Sequence, residues 1–150
     1  MPRTVLIAID ASPARTAIVA LARRYCRPDE HELHVLLAID PSFAVHRSPG
    51  LFSAEELDQY PAACDEQRQA EQAMAQALQA LREAGFTCVG STEPGQPVEV
   101  IVASAQVLDC ELIIMGHRHL SRLGRLLDPS VSSKVIDRVQ VPVLVAVAEG

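Results

Sequence analysis

Short apolar runs alternate along this chain with segments in which apolar residues recur every three or four positions. Residues 4–9 (TVLIAI), 33–39 (LHVLLAI), 86–91, 111–115 (ELIIM) and 141–148 are the runs, and each predicts a strand. Runs this continuous suit strands buried on both faces. The segments between them predict amphipathic helices. Ser12-Pro13 supplies an N-cap and a first helical residue, and Ile18, Leu21, Ala22 and Tyr25 form one face until Arg27-Pro28-Asp29 ends the helix. Over 65–84 the stripe is Ala70, Ala73, Met74, Ala77, Leu78 and Leu81, with Gly85 as left-handed C-cap and Phe86 folding back on the last turn. Pro97 opens a helix whose face is Val98, Ile101, Val102, Ala105 and Leu108. Val131, Val135, Ile136 and Val139 define a short last helix, and Pro142 suits the start or the edge of the final strand.

This order implies parallel strands joined by right-handed crossovers, with helices on both faces of one sheet. Residues 1–150 read as a single α/β domain of three layers. Sites in such sheets lie beyond the carboxyl ends of the strands, where strand order reverses. Asp10, Asp40 and Gly116 all fall at such ends. Residues 42–61 lose periodicity and contain Ser48-Pro49-Gly50 and Tyr60-Pro61, which predicts a surface loop with a short helical turn at 54–57. Its length suits a lid or a partner surface, and equally a passive excursion of the chain.

Composition narrows the function. With 150 residues the chain is long enough to bury roughly 70% of its unfolded surface. Aromatics are 3% and Trp is absent, so the core is built from Val, Ile, Leu and Ala. A net charge of −6 argues against nucleic acid as a partner. No apolar run approaches the ~20 residues of a membrane span, and no signal peptide is expected ahead of Val5. Cys26, Cys64, Cys88 and Cys110 form no CxxC, so neither a zinc site nor a redox pair is expected. A reducing cytoplasm follows as the expected location.

Candidate chemistry concentrates in 111–134, ELIIMGHRHLSRLGRLLDPSVSSK. The strand is expected to break at Gly116, pass through a basic loop and restart as a helix near Pro129. A strand, a glycine turn and a helix start is a geometry that holds anions, because free helix N–H groups point at the ligand. His117, Arg118, His119, Arg122 and Arg125 make the loop cationic within an acidic chain.

Four stretches together resemble the universal stress protein family over essentially the whole length. They are IAIDAS, GQPVEVIVASA, ELIIMGHR and SVSSKVIDRVQVPVLVAV. The resemblance implies a Rossmann-like, adenine-nucleotide alpha-hydrolase-like sheet in the order 3-2-1-4-5. It also implies a homodimer in which the final strands, residues 141–148, pair between subunits. Nucleotide-binding members are similar in carrying G-x2-G-x9-G-[ST] after the fourth strand. Here Gly116 matches the first glycine, His119 and Pro129 replace the other two, and Ser130 matches the last position. In this the chain looks like the branch typified by universal stress protein A, which is not thought to bind ATP.

The residues argue the same way. Glycine permits a close phosphate approach that side chains hinder, and Pro129 has no N–H to donate. Asp128-Pro129 reads as an N-cap and first helical residue, which would set a carboxylate where phosphate belongs. Against this, the arginines can replace lost backbone donors. The expectation is therefore a cytoplasmic, dimeric regulatory or protective module, open to protein partners, with no cofactor. The alternative is an ATP-binding member, with Mg, in which Asp10, Ala38, Met115, Gly116, Ser130 and Val131 line the nucleotide site while Arg122 and Arg125 hold phosphates. Its nucleotide occupancy would act as a switch, with slow hydrolysis at most. A small hydrolase or phosphotransferase is a third reading. It finds no G-x-S-x-G elbow, Walker lysine loop or H-E-x-x-H, and Asp10 with Asp40 does not define a reaction. His117 and His119 lack a third ligand for a metal. Ser132 and Ser133 are expected to cap or be solvated.

Overall fold

A computed structural model of the chain describes residues 2–10, 15–39, 61–117 and 129–147, with side chains at all of these except 15, 61–66, 117, 129–130 and 147. Its strands are β1 (Arg3–Ile9), β2 (His31–Ile39), β3 (Thr87–Pro94), β4 (Leu112–His117) and β5 (Val143–Val147). Its described helices are α1 (Arg15–Tyr25), α2 (Pro61–Glu83), α3 (Pro97–Leu108) and α4 (Pro129–Arg138). The strands form one sheet in the order β3-β2-β1-β4-β5, parallel at every step. The α/β fold class and strand order stand as expected. Residues 42–60, including the turn at 54–57, lie outside the described residues, as do Ser12-Pro13 and Asp40.

Alternation along each strand sends side chains to two cores. Val5, Ile7 and Ile9 of β1 join Ile114 of β4 in a cluster with α1 and α2, through Ile18, Ala22, Ala73, Ala77 and Leu81. Leu6 and Ala8 join Leu36, Ile113 and Met115 in a second cluster with α3 and α4, through Ile101, Ala105, Val131 and Val135. Three layers result, with β1 covered on both faces. Its Val5, Leu6 and Ile7 are fully buried, each contributing about 1.5–3 kcal/mol by leaving water.

The helix faces were legible in outline, with two corrections. Tyr25 is 53% exposed; α1 buries Ile18, Val19 and Ala22, continued by Cys26 just after it, a stripe rotated so that Tyr25 lies outside it beneath the Arg24 guanidinium. Ile136 is 50% exposed, because Val131, Ser132 and Val135 carry the buried side of α4. The C-cap of α2 is as expected. The Phe86 N–H donates to the Leu81 carbonyl and the Gly85 N–H to that of Arg82, with Gly85 at φ 95°. Strand bounds moved too. β3 runs on to Pro94, β5 begins at Val143, and β4 continues through Gly116, which pairs with Ala146. Gly116 is thus a strand residue and no break. A Cβ there would sit 3.3 Å from Ile18 Cδ1, so its missing side chain makes room for α1.

Polar ties link neighbouring elements within each layer. At the amino end, the Arg27 N–H donates to His31 Nδ1, which leaves Nε2 to carry the ring proton toward Glu111, 3.2 Å away. Arg3 reaches the other Glu111 oxygen at 3.5 Å, so β1, β2 and β4 meet on one carboxylate. Between α3 and α4, Arg138 donates to Glu99, and this bond holds the Glu99 carboxyl below its ordinary range. On the α3–α4 side of the sheet, His34 Nε2 lies 2.9 Å from Ser91 Oγ. Burial pushes the His34 imidazolium below its ordinary 6.5, and Glu93 opposes that shift.

Two outcomes follow. Gly95, at φ 145°, donates its N–H to the Ile39 carbonyl, and a Cβ on it would stand 2.7 Å from Val100 Cγ2. Gly95→Ala is expected to lower the unfolding free energy in urea by about 1–3 kcal/mol, and an unchanged midpoint would contradict that assignment. For His34, the unfolded chain takes its proton near pH 6.5 while the folded chain resists it. Its contribution is full above pH 6.5 and is lost as the pH falls through the lower folded value. The wild type should therefore lose more stability between pH 7.5 and 5 than His34→Gln; equal losses would contradict the burial argument.

Candidate functional site

Strand order reverses between β1 and β4, and their carboxyl ends open the crevice where such sheets carry their sites. Ala8 pairs with Met115, so two residues further along each strand Asp10 comes level with His117. On the other side Ile9 pairs with Leu37, which brings Ala38 beside Asp10, and Ala38 itself pairs with Glu93. Parity assigns the faces. Asp10 and Ala38 follow Ala8 and Leu36 toward the α3–α4 side, where Met115 and Val131 already pack together. Asp10 is 7% exposed, a carboxylate held at the mouth of an apolar core. Four of the expected residues, Asp10, Ala38, Met115 and Val131, thus share one end and one face. Gly116 is adjacent but turns its missing side chain to Ile18 on the opposite face.

The helix start is the other half of the site. α4 opens on Pro129, with Ser130 as its second residue and Val131 as its third. Proline has no N–H, so this N-terminus lacks one of the donors that would point at a phosphate. Arg122 and Arg125, expected to compensate, lie outside the described residues, as do His119 and Asp128. Ser132 corrects one expectation: it is 1% exposed, turned inward beside Val131 and Val135, and is not solvated. Ser133 is exposed.

Sequence reasoning passed over Glu93 and the His34–Ser91 pair. All three residues face the same side of the sheet as Ala38: Glu93 and Ser91 lie on β3, one strand further from the crevice, and His34 lies on β2 itself, four residues before Ala38. Their signal is the polar alternation of Ser91 and Glu93, which the apolar pattern hides because it fades at Ser91 while β3 runs on to Pro94. Among the described residues no three His, Cys, Asp or Glu side chains gather as a metal site. The described cysteines are buried and free; burial, with Glu111 adding to it, pushes the Cys26 thiol up to about 11, far from a reactive thiolate. No described helix is long and apolar enough to cross a membrane.

Comparison with known proteins gives this geometry a lineage. Residues 1–146 match the universal stress protein family. Universal stress protein Sll1388 of Synechocystis is 27% identical over 152 residues, spanning 94% of this chain and 95% of its own length. Among solved structures, protein MJ0577 superposes with a TM-score of 0.74 at 24% identity, covering 100% of this chain and 99% of its own. A universal stress protein family protein from Arabidopsis thaliana with AMP bound gives a TM-score of 0.68 at 14% identity, over 99% and 94% of the two chains. At such identities the structures speak for the fold, and they share its Rossmann-like, three-layer architecture. With a match over nearly its whole length, the chain belongs to the universal stress protein family.

Proposed function

We propose that this chain is a non-catalytic regulatory module of the stress response, working in the cytoplasm as a homodimer and not holding ATP tightly. The observation that carries this reading is the start of α4 at Pro129. A phosphate cradle depends on backbone donors at the helix N-terminus, and here the first residue has none. Two of the three motif glycines are also replaced, by His119 and by Pro129 itself. The dimer reading is supported by β5, an edge strand whose five residues are Val, Leu, Val, Ala and Val. Cytoplasmic residence fits the free state of the three described cysteines.

A second reading has its own support. Asp10, Ala38, Met115 and Val131 converge at the switch point, and the Arabidopsis relative carries AMP. In that reading adenine-nucleotide occupancy is the switch, and Arg122 and Arg125 take over the phosphates with Mg.

Calorimetric titration of the purified protein with Mg-ATP separates the two. The first reading expects no saturable heat at millimolar ATP. Micromolar binding, weakened tenfold or more by Arg122→Ala and Arg125→Ala, would contradict it and install the second.

A further inference from the structure

The two edges of the sheet are built differently, and the difference lies in their outward backbone groups. Among the described residues β3 pairs only with β2, so one row of its N–H and C=O groups has no described strand beside it. The Gly95 N–H donates to the Ile39 carbonyl at 2.9 Å, and Ile39 is the partner of Pro94. In a parallel ladder a residue bonds to the two neighbours of its opposite number. The odd-numbered residues of β3 therefore face β2. Cys88, Gly90, Thr92 and Pro94 turn outward.

Both ends of that outward row are blocked. The Cys88 carbonyl accepts a hydrogen bond from Arg82 at 3.2 Å, sent from the last turn of α2. The Gly85 turn, which carries the chain straight from α2 into β3, keeps Arg82 within this reach. At the far end Pro94 has no N–H. Glu93 beside it is exposed and charged. Only Gly90 and Thr92 keep both outward groups, roughly 7 Å of strand, too short for a stable added strand.

Among the described residues the other edge carries no such block. The Ile113 N–H donates to the Pro142 carbonyl at 3.0 Å, and Ile113 is the partner of Val143. The even-numbered residues therefore face β4, and Val143, Val145 and Val147 turn outward. The one proline nearby, Pro142, is on the inward row.

We propose that Arg82 and Pro94 are edge guards, which stop β3 of one copy from adding to the sheet of another and leave β5 as the sole edge for sheet extension. The consequence is closure. A sheet that extends through both edges grows without limit, whereas one open edge on each subunit pairs with itself and stops at two. The dimer half of this statement rests on the proposed function; the guard half stands on β3 alone.

The test is the double variant Arg82→Ala, Pro94→Thr, checked for fold by circular dichroism and compared with wild type by light scattering and amide exchange. Expected is a mass rising above the wild-type value at tens of micromolar, with exchange at Gly90 and Thr92 slowed at least about tenfold. Adding Thr92→Pro, which removes one outward donor and leaves the bonds to β2 in place, should return the mass to the wild-type value. A double variant of wild-type mass and unchanged exchange at Gly90 and Thr92 would overturn the proposal. If the double variant loses its fold, Arg82→Ala alone carries the same comparison, with the same result overturning it. A wild-type chain that scatters as one subunit would sink the dimer reading, while the variant-against-wild-type difference still decides the guards.

Discussion

The burial of β1 on both faces is the constraint on which the rest depends. Its Val5, Leu6 and Ile7 take no water, so helices must lie above and below them, and both neighbours must be strands. A chain that winds outward from β1 in one direction, with α1 and α2, must return to start the other half with α3 and α4. That return creates the reversal between β1 and β4. The crevice there is a by-product of how the core is covered, and Asp10 sits in it because β1 ends there. Function in this fold is decided by what the loops add to a cleft the core has already made.

How much of this was written in the sequence depends on the kind of signal. Buried runs such as TVLIAI admit one reading, since only a strand covered twice is apolar at every position. The stripe from Ala70 to Leu81 was equally plain, and so was the Gly85 cap. Tyr25 and Ile136 misled because an apolar residue at the border of a stripe fits the periodicity whether or not the neighbouring layer reaches it. Gly116 misled for another reason. Glycine is punctuation in a sequence, but here it lies within β4 to admit Ile18, a tertiary contact that local pattern does not encode. The order of the strands came through resemblance, because periodicity says nothing about which strand lies beside which.

For the candidate site the signals differ. Strand ends are visible in a sequence, so Asp10 could be named from one; Ala38 and Met115 came with the resemblance, and the register brings the three to one end of the sheet. Glu93 and the His34–Ser91 pair were not named, because their proximity arises from pairing between β2 and β3. Ser132 read as one serine among three; only the rotation of α4 turns it inward. The sheet edges carry the same lesson. Arg82 is an ordinary last-turn arginine until the Gly85 cap folds β3 back alongside it.

In the function proposed above, the chain keeps the strand-end cleft of its fold, and Pro129 and His119 stand where a phosphate-binding motif would have glycines. Restoring both positions tests this most directly, by titrating the Pro129→Gly, His119→Gly variant and the wild type side by side with Mg-ATP. The account predicts that the variant gains ATP affinity by at least about tenfold, roughly 1.4 kcal/mol. Equal affinity in the two proteins, with the wild type already saturating at micromolar ATP, would contradict it.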